Sequence, residues 1–329
     1  MGPVWITGRI PHVEPQISLA GGDFTFHVRV WGRGRSGLRR RVAPLGDQSS
    51  LTSSPMCDDH PNNHPTFGRR SFLGRAALAP LAVPAVLGAV GAAAPAQAAE
   101  AKIRSKACSA AAAPPIPVAT PLAELFAKHG VSKLHPRSDW AAKLAAKGPL
   151  QAETPRFLLV HHTVSSNTYA ETAVVDQIRG FFNFHTGPEK GWNDVAYNFF
   201  IDRFGGVWEA RTGSLAGPVR GDATGGNQGF SQLVCMVGDF GAQPPTPAAV
   251  DSLARVLAAL AAKYGIDTSP GATTSFVSRK SNRWKAGLCV ETPTIAGHRE
   301  MSQTTCPGDA LFAIVRDELP ARVAKVRRA

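Results

Sequence analysis

The sequence predicts an α/β fold, a sheet covered by helices, gathered into one domain over residues 129–329. Three observations predict it. Short apolar runs of strand length recur at 156–160, 197–202, 207–210 and 233–237. Segments with helical apolar spacing separate and follow them. The 329 residues are 43% hydrophobic and only 18% charged, which supports a core and excludes a wholly disordered chain.

The elements follow in order. Residues 1–55 carry Arg33, Arg35, Arg39, Arg40 and Arg41 without a sustained period, and read as a disordered upstream extension, with Met56 as the true start. Residues 56–98 read as an export signal. Arg69-Arg70-Ser71-Phe72-Leu73 precedes a weakly apolar run from 76 to 94, and Ala96-Gln97-Ala98 forms a small-x-small cleavage site. The paired arginines resemble the twin-arginine type. The Ala-, Gly- and Pro-rich run is too weakly hydrophobic for a stable span, so no membrane anchor is expected after cleavage. Residues 99–128, Ala- and Pro-rich in their first part, read as a linker.

Within the domain, 156–160 reads as a buried strand ending at His161-His162. Val174, Val175, Ile178, Phe181 and Phe182 mark a helix stopped by Gly187-Pro188. The 197–202 and 207–210 runs, with Arg203-Phe204-Gly205-Gly206 between them, form a hairpin. Val250, Leu253, Leu257, Leu260 and Tyr264 mark an amphipathic helix with Thr246 as N-cap and Pro247 in its first turn. Asp309 to Lys325 reads as one further helix.

Net charge is +12, which suggests an anionic partner. Removing residues 1–99 takes away 10 basic and 5 acidic residues and leaves +7. No nucleic-acid motif accompanies that charge, so nucleic acid is not expected as a partner.

Three features carry chemistry: His161-His162-Thr163 at the end of a buried strand, Gly297-His298-Arg299 after another strand-like run, and Cys306-Pro307-Gly308. Two imidazoles and a thiolate suit a catalytic zinc ion, with a fourth position left for water. Alternation along the strand sends His161 and His162 to opposite faces.

From about Arg137 onward the chain resembles the peptidoglycan recognition proteins and the related zinc amidases of phage lysozyme type. The matching stretches are Arg137-Ser138-Asp139-Trp140, Val160-His161-His162-Thr163, Gly191-Trp192-Asn193-Asp194-Val195-Ala196-Tyr197-Asn198-Phe199, and Gly297-His298-Arg299 through Thr304-Thr305-Cys306-Pro307-Gly308. The resemblance implies a central mixed β-sheet flanked by helices. It also implies an N-acetylmuramoyl-L-alanine amidase that uses Zn2+, acts on peptidoglycan and cuts the lactyl–L-alanine amide; the export signal makes a secreted or wall-associated protein the expectation, and a monomer is expected. By motif position His161, His298 and Cys306 are the zinc ligands, and Tyr197 and Thr304 are catalytic. His185, Trp192, Asn227 and Arg211 are substrate-binding. Relatives that lose zinc ligands bind muropeptides without cutting them, so a non-catalytic binding module is the alternative.

The sequence departs from the family at 218–223, where Pro-Val-Arg-Gly-Asp-Ala replaces the usual Gly-Ala-His, and at Ala210, where Gly is usual. Residues 276–291 read as a basic loop. With Cys306 assigned to zinc by the resemblance, Cys108, Cys235 and Cys289 remain after loss of Cys57. At most one disulfide can then form; a Cys108–Cys289 bond would tie the linker to the basic loop, and Cys235 reads as inert.

Overall fold

The structure, a computed structural model, describes residues 100–103, 108, 117–224 and 229–329. The expected upstream extension, export signal and Asn227 lie outside the described residues. In chain order the elements are β1 (Lys102–Ile103), α1 (Leu122–Lys128), β2 (Leu134–His135), α2 (Ser138–Ala141), β3 (Phe157–His162), α3 (Val174–Thr186), β4 (Phe199–Ile201) and β5 (Val207–Glu209). There follow β6 (Ser231–Met236), α4 (Pro247–Tyr264), β7 (Thr273–Val277), β8 (Cys289–Pro293), β9 (Ile295–Gly297), α5 (Asp309–Asp317) and α6 (Leu319–Arg328).

β3 and β6 are buried at all six positions, as inner parallel strands covered on both faces must be. They are neighbouring inner strands of a six-stranded mixed sheet of order β2-β5-β4-β6-β3-β9. β4 and β5 pair antiparallel through the expected hairpin, and the other neighbours run parallel. Alternation along β3 splits the core. Leu158 and Val160 pack with α1, α4, α5 and α6 on one face, while Phe157 and Leu159 pack with α2 and α3 on the other. Each fully buried Leu or Phe contributes about 1.5–3 kcal/mol.

α4 starts as the sequence predicts. Thr246 Oγ1 accepts the Ala249 N–H at 3.2 Å, and Pro247 occupies the first turn, where no intrahelical donor is needed. The helix ends at Gly265, whose φ of 65° suits glycine.

Three expectations need correction. The 99–128 segment is not all linker: Lys102–Ile103 pair with β8, and Leu122, Leu125 and Phe126 of α1 bury an i, i+3, i+4 face in the core. The single C-terminal helix is two, broken at Glu318 (φ −117°). Pro320 in the first turn of α6 lacks an N–H, and its ring would clash with the carbonyl four residues back if the helix continued. The 276–291 segment is a loop only in its middle. Its ends lie in β7 and β8, which with β1 make a second, antiparallel sheet of order β1-β8-β7. Two of its cations are used internally, Arg279 on Glu153 at 2.7 Å and Arg283 on the Arg299 carbonyl at 2.5 Å.

A disulfide joins Cys108 to Cys289. Cys235 is outside any disulfide and fully buried on β6. No helix among the described residues is long and apolar enough to cross a membrane.

Candidate metal centre

The parallel pairing of β3 with β9 places Val160 opposite Gly297, so the residues that follow, His161 and His298, emerge side by side at the C-terminal rim of the sheet. Their ring centroids are 4.4 Å apart. Cys306 reaches the same point from the loop before α5, with its Sγ 3.7 Å from His161 Nδ1. One ligand atom from each of the three residues lies within 4.8 Å of the others, and all three side chains are buried.

The loop that brings Cys306 in is clamped through its backbone. The Cys306 N–H donates to Thr304 Oγ1 at 3.2 Å, and the Cys306 carbonyl accepts the Arg299 N–H at 3.0 Å. Arg299 also pairs with Asp309 at 2.7 Å, which ties the loop to the start of α5. Gly308 has a φ of 89° and runs so close to the Phe240 backbone that a Cβ there would collide with it.

Burial holds the His161 imidazole well below its ordinary pKa, with further repulsion from His298 and then His162. His161 is therefore the neutral base that a metal ligand must be. Its Nε2 is buried with no hydrogen-bond partner, an arrangement that is costly unless something else fills the position. An N₂S donor set that is deeply buried and carries such an orphan atom fits zinc. His162 sits on the opposite face of β3, where its Nδ1 accepts the Phe240 N–H at 3.2 Å.

A row of rings leads away from the centre. Tyr197 lies 5.0 Å from His161, His185 lies 5.6 Å from Tyr197, and Trp192 lies 5.1 Å from His185, all between ring centroids. His185 is buried, and its Nδ1 accepts the Ala196 N–H at 3.3 Å. Trp192 is half-buried and borders a cleft of about 320 Å³ that Gln151, Asn193, Arg211 and Arg220 also line.

Arg211 reaches that cleft, but its guanidinium is engaged within the protein, donating to the Val195 carbonyl and to Asp222, each at 2.7 Å. Thus His161, His298 and Cys306 converge on one point, Tyr197 packs its ring on His161, Thr304 holds the Cys306 backbone, and His185, Trp192 and Arg211 lie farther out. Sequence reasoning did not single out Gln151, Arg220 or Asp222 as cleft residues. Arg220 and Asp222 were signalled only by the departure from the family pattern at 218–223, and Gln151 by nothing in the sequence.

His185 makes the site sensitive to acid. Burial, then Lys190 and Arg211, lower its pKa to about 3. The unfolded chain takes up this proton below about 6.5, and the folded chain refuses it until about 3. The contribution of a neutral His185 to stability is thus full above pH 6.5 and is lost as pH falls toward 3. Denaturation of wild type and His185→Gln at pH 7 and pH 5 should show a smaller acid loss in the variant.

Comparison with known proteins follows the same residues. The family model of N-acetylmuramoyl-L-alanine amidase matches residues 151–309. The N-acetylmuramoyl-L-alanine amidase of Homo sapiens is 30% identical over 191 residues, covering 57% of this chain and 28% of its own length. That of Sus scrofa is 29% identical over 204 residues, covering 60% and 30%. The chain thus spans under a third of the length of these two amidases. Peptidoglycan recognition protein 1 of Mus musculus is 26% identical over 182 residues, covering 55% of this chain and 85% of its own. Among solved structures, Drosophila peptidoglycan recognition protein SD aligns at 20% identity over 55% of this chain and 92% of its own, with a TM-score of 0.44.

Proposed function

We propose that the protein is an exported, zinc-dependent N-acetylmuramoyl-L-alanine amidase that hydrolyses the lactyl–L-alanine amide of peptidoglycan. The observation that carries this reading is the convergence of His161, His298 and Cys306 within 4.8 Å, with Tyr197 packed against the first of them. Zinc held by these three residues would polarise the scissile carbonyl and bring the pKa of a bound water down to about 7.

The chain's own residues do the rest. Tyr197 is confined by His161, His185 and Phe200, so its hydroxyl is a pre-oriented donor for the developing oxyanion. The Thr304 oxygen accepts the Cys306 N–H and so holds the ligand loop in place, and its hydroxyl assists the tetrahedral intermediate. The cleft bordered by Trp192 and Arg211 takes the rest of the muropeptide. Export by the twin-arginine-type signal, with Met56 as start, and action as a monomer in the wall complete the proposal.

The test is release of stem peptides from purified peptidoglycan. Release that a chelator abolishes and added zinc restores supports the amidase. Muropeptide binding without release, in zinc-loaded protein, makes it a binding module instead. Tyr197→Phe should lower kcat by about 10²-fold and leave KM unchanged, because the lost donor acts in the transition state alone.

A further inference from the structure

The segment that opens the described chain is built into the domain. The Ala101 N–H donates to Glu300 Oε1 at 3.2 Å, and the Glu100 carboxylate pairs with Arg316 of α5 at 2.6 Å. Lys102 and Ile103 pair with Glu291 and Val290 of β8, and Lys102 Nζ lies 3.3 Å from the Glu291 carboxylate. Cys108 is then bonded to Cys289, the first residue of β8.

Glu300 is where this segment meets the metal ligands. Its Oε2 accepts the N–H of Gly297, the residue before His298, at 2.9 Å. One buried carboxylate therefore joins the start of the described chain to the turn that carries a ligand. The Trp284 indole N–H adds a bond to the Glu300 carbonyl at 2.8 Å. β8 leads through Thr294 into β9 and on to His298. The disulfide thus anchors the first residue of the run 289–300, and Glu300 anchors the last.

We propose that Glu100–Ile103 with Cys108 form a strap, locked by the Cys108–Cys289 disulfide, that sets the metal affinity of the His161, His298, Cys306 centre by fixing Glu300 and through it the Gly297–His298 turn. Glu300 is a positioning residue in this scheme and not a ligand. The inference rests on the metal reading above. Its physical basis is that β1 has only two residues, both exposed, so its pairing is too short to persist without a covalent anchor. When the strap opens, Glu300 loses the Ala101 N–H and the turn before His298 loses its support. Because the disulfide needs an oxidising compartment, the centre reaches full affinity only there.

Cobalt titration of the oxidised, metal-stripped protein tests this, read by the thiolate–cobalt absorption band. Cys108→Ser/Cys289→Ser should bind cobalt about 10-fold more weakly with the band unmoved, as for loss of an outer-shell support. Glu300→Gln should weaken binding similarly, since an amide oxygen replaces only one of the two acceptors; if that variant fails to fold, the cysteine pair carries the test. Leu253→Ala, buried in α4 on the opposite face, should lower Tm yet keep wild-type affinity. A wild-type band with unchanged affinity in the cysteine pair overturns the strap alone. Absence of any thiolate–cobalt band in the wild type overturns the metal reading, and the strap with it.

Discussion

Cys306→Ser is expected to lower stem-peptide release by about 10³-fold and to leave the purified protein without stoichiometric zinc. A serine hydroxyl stays protonated at neutral pH and does not replace a thiolate in an N₂S set. Loss of the metal forfeits several kcal/mol of charge stabilisation in the transition state, and each 1.36 kcal/mol is tenfold in rate. The fold should survive, because the loop is clamped through the backbone N–H and carbonyl of residue 306, which the substitution keeps. The check pairs metal analysis with turnover. A Cys306→Ser protein that retains both zinc and hydrolysis would remove Cys306 from the centre.

Asp194→Ala is expected to destabilise the domain by about 3–5 kcal/mol, with its effect on Tm larger than that of any substitution at Trp192. Asp194 is fully buried and satisfies four donors: Arg137 Nη2 at 3.0 Å and the Val195 N–H at 2.7 Å on one oxygen, the Thr212 N–H at 2.9 Å and Oγ1 at 2.6 Å on the other. Truncation leaves those donors unpaired beside a guanidinium that burial already pushes below its ordinary pKa. In Arg137→Ala/Asp194→Ala the orphaned cation is gone, so the double variant should lose less than the sum of the singles. Urea denaturation of the cycle reads this directly. A normal Tm with a raised KM for Asp194→Ala would place the carboxylate against substrate instead.

The same pair explains how much of the site was legible beforehand. Arg137 and Asp194 belong to motifs singled out by resemblance, yet neither touches the metal centre. Arg137 lies over the Trp140 ring at 4.5 Å and holds the Asp194 loop, so these motif residues are scaffold for Tyr197. Asn198 is similar: it bonds Ser214, the Val219 carbonyl and the Leu233 N–H, and so fixes the 218–224 loop against β6. Residue type and order bring such positions to notice, but only a list of partners separates a scaffold carboxylate from a functional one.

The sequence by itself determined the inner strands β3, β4, β5 and β6 and the helices α3 and α4, and it brought His161, His298 and Cys306 to notice as candidate ligands. Local apolar period dictates which segments bury which face, and the imidazoles and thiolate sit at strand ends and in a turn recognisable by residue type. Alternation along β3 dictates only that His161 and His162 face opposite ways; the choice of His161 as candidate ligand rests on its motif position in the resemblance. The tertiary structure alone decided that His161 and His298 meet through parallel pairing of β3 with β9, strands whose separation in the chain no local pattern spans. It also decided the fates of Arg211 and Glu300. A guanidinium engaged by Asp222 and a carboxylate shared by Ala101 and Gly297 owe their roles to partners far along the chain, brought near only when the sheet assembles.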